Sequence, residues 1–103
     1  MTERSAFVLN VRPERLEEYL EAHRSVWPEM LDALKEAGIR NYTIFQAGSR
    51  VFGYFESDDL EGAARYLESQ EVSARWQDAM ADLLDERVPD GGPRRLNEIF
   101  RLD

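Results

Sequence analysis

Phe7, Leu9 and Val11 alternate with Ala6 and Val8, so residues 6–11 are apolar on both sides. That pattern predicts a strand buried on two faces. Arg12-Pro13 ends it. The residue before a proline is pushed to extended geometry, and proline suits the first helical position. Leu16, Tyr19, Leu20, His23, Trp27, Met30, Leu31 and Leu34 then recur at steps of three and four, which is a helical period. Pro28 interrupts this stripe, and a proline deep in a helix costs ~3 kcal/mol. The expectation is either a kink or two abutting helices, over about 13–24 and 26–37. In the second case Ser25 is the N-cap and Pro28 sits in the first turn. Gly38 stops the second helix in the left-handed conformation.

Residues 41–46 (NYTIFQ) and 51–56 (VFGYFE) read as two further strands. The connection 47–50 is of hairpin length and holds Gly48, so the two should pair antiparallel. Asp58 and Glu61 have the spacing of a capping box, and Leu60, Ala63, Ala64 and Leu67 mark the short helix behind it. Val72, Trp76, Ala79, Met80 and Leu83 predict another helix over about 71–84. Residues 85–94 contain Pro89, Gly91, Gly92 and Pro93 and read as a loop. Leu96, Glu98, Phe100 and Leu102 alternate with Asn97, Ile99 and Arg101, predicting a last strand over 96–102. The order is β-α-β-β-α-β, an α+β fold of the ferredoxin-like kind, with helices on one face of an antiparallel sheet.

That arrangement leaves one sheet face bare, yet the strands are apolar on both sides. A bare apolar face is unusual on a monomer. Burial against a second copy, sheet to sheet in a two-fold homodimer, is the simplest solution.

The 103 residues fit one domain spanning 1–103. With 43% hydrophobic residues, a core is expected rather than disorder. Lys and Arg total 13 against 21 Asp and Glu, for a net charge of −8. That balance argues against nucleic acid and against an anionic membrane surface as partners. There is no Cys and one His. Disulfides, thiolate nucleophiles and Cys- or poly-His-ligated metal sites within one chain are thereby excluded. The N-terminus lacks the apolar stretch of a signal peptide, and no segment approaches the ~18 apolar residues of a membrane span. The expectation is a soluble, cytoplasmic, metal-free domain.

Tyr19, His23 and Trp27 stand at spacings of four, along one line of a helix if no kink intervenes. Such a Tyr and Trp beside an aliphatic stripe are ordinarily core, and a lone His there is ordinarily structural. Histidine is nevertheless the one side chain that, at its usual pKa of ~6.5, gives and takes protons near neutrality. With Tyr19 one turn away to orient it, His23 is the best general acid/base candidate in the chain. Trp76 either fills core or offers a face to the C–H side of a sugar ring. Asn41 and Tyr42 place an amide and a phenol at a strand end, where pockets often open. The many carboxylates, among them Glu17 and Glu21, read as solvated faces. No phosphate-binding Gly loop, Walker pattern or nucleophile elbow is present.

The segments AFVLNV, EEYLEAH, VWPEM, NYTIF, RWQDAM and LNEIFRLD, in this order and spacing, resemble the L-rhamnose mutarotase family nearly end to end. The resemblance implies a dimeric ferredoxin-like α/β barrel that interconverts the α and β anomers of L-rhamnose without cofactor or metal. It implies His23 as the catalytic histidine and Tyr19 and Tyr42 as sugar-binding tyrosines. The family's tandem Trp pair at the sugar site is matched by Trp76, with Gln77 in the second place. One aromatic surface is thereby exchanged for an amide, which bears on which deoxysugar is preferred. The family's Asn-Pro-Asp-Asn loop is here Val88-Pro89-Asp90-Gly91-Gly92-Pro93. Two alternatives are a cofactor-free monooxygenase on the same dimeric fold and a non-catalytic dimeric binding module.

Overall fold

The computed structural model describes residues 1–85 and 93–102. Three antiparallel strands, β1 (Glu3–Asn10), β2 (Arg40–Ala47) and β3 (Arg50–Ser57), form a sheet in the order β1-β3-β2. Helices α1 (Leu16–Arg24) and α2 (Pro28–Glu36) connect β1 to β2, while α3 (Leu60–Glu68) and α4 (Glu71–Ala81) follow β3. The arrangement is the expected ferredoxin-like one, except at its last strand.

Residues 96–102 do not form the predicted strand. Arg95 makes a single antiparallel bridge to Phe7, and the Leu96 amide donates to the Ala6 carbonyl. Arg4 and Glu98 pair at 2.8 Å, so the segment follows the free edge of β1 without joining its ladder. Alternation alone does not make a strand; each residue needs a backbone partner. Beyond this contact Ile99, Phe100 and Leu102 are 94%, 78% and 85% exposed. The loop predicted over 85–94 lies mostly outside the described residues.

Pro28 starts a new helix rather than kinking one. Ser25 is not its cap: Trp27 takes that place and offers no side-chain cap bond, and its carbonyl accepts from Met30 and Leu31. A proline at the first helical position loses no intrahelical hydrogen bond. Gly38 ends this connection at φ +89, and Gly48 takes φ +62 in the two-residue hairpin turn, both conformations that a Cβ would disfavour. The capping box is not formed. Asp59, not Asp58, caps α3, its carboxylate accepting from the Gly62 amide at 3.0 Å. Helix α4 ends at Ala81, short of the predicted 84. Leu84 instead bridges to Val11, tying the chain after α4 to the end of β1.

The core lies on the helix-covered face. Val11, Tyr19, Val51, Leu83 and Leu84 form it, with Leu9, Leu16, Ile44 and Met80 packed around. Val51 is fully buried and pairs with Leu9 across the sheet, and Ile44 pairs with Gly53, so these strand residues share one face. The opposite face carries the cross-strand row Val8–Phe52–Phe45, in which Phe45 is 64% exposed.

Candidate active site

A spacing of four puts Tyr19 and His23 on the same face of α1. Their rings lie 4.4 Å apart, tilted by 34°. His23 Nδ1 is 2.8 Å from the Tyr19 carbonyl oxygen. A carbonyl only accepts, so Nδ1 carries the proton and donates. The second ring nitrogen, Nε2, is left to act on something else. His23 is half-buried, and Tyr19 beside it is buried.

Helix α4 brings Trp76 edge-on to the imidazole, with centroids 5.5 Å apart and an interplanar angle of 83°. Trp27, at the start of α2, stands edge-on to Trp76 at 5.1 Å and 89°. The two helices therefore close an aromatic wall beside His23. Edge-to-face geometry sets the positive rim of one ring against the negative face of its neighbour.

Strand β2 supplies Tyr42 from the same side of the sheet. Its ring stands edge-on to Phe7 at 6.3 Å and lies 5.3 Å from Phe55. Phe7 in turn lies over Gly53, where any Cβ would overlap its ring. Burial pushes the Tyr19 phenol up to about 12. Burial also raises the Tyr42 phenol well above its ordinary value, and repulsion from the Tyr19 phenolate adds to this. Tyr42 keeps 40% of its whole-residue surface exposed, so the burial that raises its phenol is partial. Both phenols are protonated at neutral pH and are hydrogen-bond donors, not bases.

Of the residues expected at the site, Tyr19 and His23 are in ring contact, as are His23 and Trp76; the ring contacts of Tyr42 are with Phe7 and Phe55 instead. Gln77 is exposed on α4, about 100° round the axis from Trp76. Among the described residues no ring contact or hydrogen bond joins it to the others. Asn41 is turned away: its amide donates to Glu56 Oε1 at 2.8 Å. An open groove of about 330 Å³ between α2 and α4, with Glu29, Asp32, Glu36 and Arg75 in its lining, includes none of the expected site residues. Among the described residues, no group of three or more His, Cys, Asp or Glu is placed to hold a metal ion.

Sequence reasoning passed over the Phe7–Gly53–Phe55 bed beneath Tyr42. Its signal was present: an isolated glycine inside the strand pattern VFGYFE marks a close approach. From the sequence Trp27 reads as ordinarily core; the break at Pro28 brings it to Trp76, which spacing along a continuous helix does not foresee.

Comparison with known proteins adds an independent line. A family model described as L-rhamnose mutarotase matches residues 4–102. The L-rhamnose mutarotase of Bacillus subtilis is 38% identical over 104 residues, covering 97% of this chain and 98% of the relative. The crystal structure of an L-rhamnose mutarotase from Formosa agariphila superposes with a TM-score of 0.79 at 28% identity, covering 98% of this chain and 99% of that one. A putative antibiotic biosynthesis monooxygenase from Nitrosomonas europaea has a TM-score of 0.65 at 21% identity over 84% of this chain and 82% of that one, a likeness of fold alone. With nearly the whole length matched by the family model and by a relative above 30% identity, the chain belongs to the L-rhamnose mutarotase family.

Proposed function

We propose that this protein is an isomerase that interconverts the α and β anomers of L-rhamnose, with His23 as its proton-moving residue. Family membership supports the reaction class. The observation that carries the role of His23 is the 2.8 Å bond from Nδ1 to the Tyr19 carbonyl. It fixes one tautomer and holds the ring while Nε2 stays available.

Mutarotation requires one proton to reach the ring oxygen and one to leave the anomeric hydroxyl. As the C1–O5 bond breaks, Nε2–H of the imidazolium delivers a proton to O5. The anomeric O–H loses its proton and its electron pair forms the aldehyde C=O. Rotation about C1–C2 presents the other aldehyde face, and the steps reverse to close the ring. The acceptor of the anomeric proton is a carboxylate or water rather than a phenolate, since burial keeps Tyr19 and Tyr42 protonated. In this reading the two phenols donate hydrogen bonds to sugar oxygens, and Trp76 packs against the apolar side of the pyranose. Gln77, next along α4, offers an amide to an outer hydroxyl and thereby bears on which deoxysugar is preferred. General acid/base help of this kind contributes about 10²–10⁴-fold.

The reading includes one domain over 1–103, acting in the cytoplasm as a homodimer. Support for the dimer is Phe45, 64% exposed beside Phe52 on the sheet face opposite Val51. The cysteine-free sequence is in keeping with a reducing compartment.

The test is anomeric exchange of L-rhamnose followed by NMR saturation transfer, with L-fucose as comparison. Catalysed exchange is expected for L-rhamnose, and its loss on His23→Ala. No acceleration for either sugar overturns the reading.

A further inference from the structure

Strand β2 is irregular at one point only. Arg40 pairs with Glu56 and Thr43 with Tyr54, so two residues, Asn41 and Tyr42, face the single residue Phe55. This is a bulge, and bulges re-aim the side chain beside them. Asn41 has φ +52, a left-handed conformation and the one positive φ outside glycine among the described residues. Asparagine tolerates it where a β-branched residue does not.

A clamp on the far side of the sheet holds the bulge. Glu56 accepts from the Asn41 amide through Oε1 at 2.8 Å and from the Tyr54 hydroxyl through Oε2 at 2.5 Å. The Asn41 carbonyl also accepts from the Thr43 hydroxyl at 3.1 Å. Tyr42, between Asn41 and Thr43, is thereby fixed on the helix side against Phe7 and Phe55.

We propose that Asn41 is a positioning residue for Tyr42, acting through the bulge that its left-handed backbone forms and not by contact with substrate. The proposal rests on the reading that Tyr42 holds the sugar. It predicts that the backbone conformation at position 41, more than the amide itself, sets the placement of the Tyr42 phenol.

The experiment compares Asn41→Val and Asn41→Gly, each alone and in a Tyr42→Phe background. KM and kcat for L-rhamnose come from NMR exchange, and the Tyr42 ring signal comes from tyrosine-labelled protein. Asn41→Val should raise KM about tenfold or more with a smaller change in kcat, and should shift the Tyr42 ring signal. Asn41→Gly accepts the positive φ and should stay within about threefold of wild type. In the Tyr42→Phe background Asn41→Val should add nothing further. An unmoved Tyr42 signal in Asn41→Val, or a KM effect that persists in full without the Tyr42 hydroxyl, overturns the proposal. A wild-type KM in Tyr42→Phe, with the ring signal still moved by Asn41→Val, overturns the sugar-binding role of Tyr42 and leaves the positioning intact. If Asn41→Val does not fold, Asn41→Ala carries the same test against Asn41→Gly, since both lack the amide and only alanine has a Cβ that disfavours the positive φ.

Discussion

His23 donates from Nδ1 to the backbone carbonyl of Tyr19, one helical turn earlier on α1, across 2.8 Å. Because the acceptor is backbone, helix geometry sets the orientation of the imidazole. The neutral ring should therefore be the Nδ1–H tautomer. Long-range nitrogen–proton NMR of labelled protein checks this directly. A dominant Nε2–H tautomer contradicts it, since the carbonyl would then face a lone pair.

The buried phenols give a pH dependence with a definite sign. The Tyr19 phenol is raised to about 12, against ~10 for an unfolded tyrosine. The folded state holds that proton more tightly, so the associated stability is complete below pH ~10 and is lost as the pH rises through ~12. For Tyr19 this amounts to about 3 kcal/mol at most. Denaturant melts at about pH 8 and about pH 11 should show lower stability at the higher value. Absorbance titration should find Tyr19 and Tyr42 ionising late because of burial, with Tyr54 and Tyr66 also raised by their hydrogen bonds to Glu56 and Glu36. Ionisation of all four tyrosines near the ordinary value contradicts the burial assigned to Tyr19 and Tyr42.

Gly53 is required by the ring of Phe7 above it. Gly53→Val should displace Phe7 and cost about 1–3 kcal/mol in a denaturant melt, the usual range for overpacking. The same change should weaken L-rhamnose binding, because Tyr42 rests edge-on against Phe7. Unchanged stability means that the Phe7 ring can relocate freely, and the bed beneath Tyr42 is then not fixed.

The sheet face opposite Val51 predicts self-association. Phe45 lies at the end of the apolar row, 64% exposed. A charge there, as in Phe45→Glu, should convert a dimer to monomers in sedimentation velocity. A wild-type protein that sediments as a monomer removes the dimer from the account.

Much of this was legible in the sequence because it depends on short-range rules. Period 3.6 found α1, α3 and α4, and Gly38 and Gly48 announced their positive φ values. The spacing of four between Tyr19 and His23 put the catalytic candidate beside its orienting residue. What failed depends on partners the pattern does not specify. LNEIFRL alternates like a strand, but only the start of the segment meets β1. Asp58 and Asp59 are adjacent and chemically equal as caps, and the backbone chose the second. The bulge at Asn41 arises from cross-strand register, which no single strand reveals. Trp27 joined the site because Pro28 redirects the chain, so its neighbour became Trp76 on another helix.

The most direct test of the central claim is the exchange rate of L-rhamnose anomers with wild-type protein, His23→Ala and His23→Asn. Asparagine keeps a donor near the Tyr19 carbonyl but supplies no imidazole Nε2. Both variants should fold, bind sugar and lose about 10²-fold or more in exchange rate. Exchange at the wild-type rate in either variant contradicts a proton-moving role for His23.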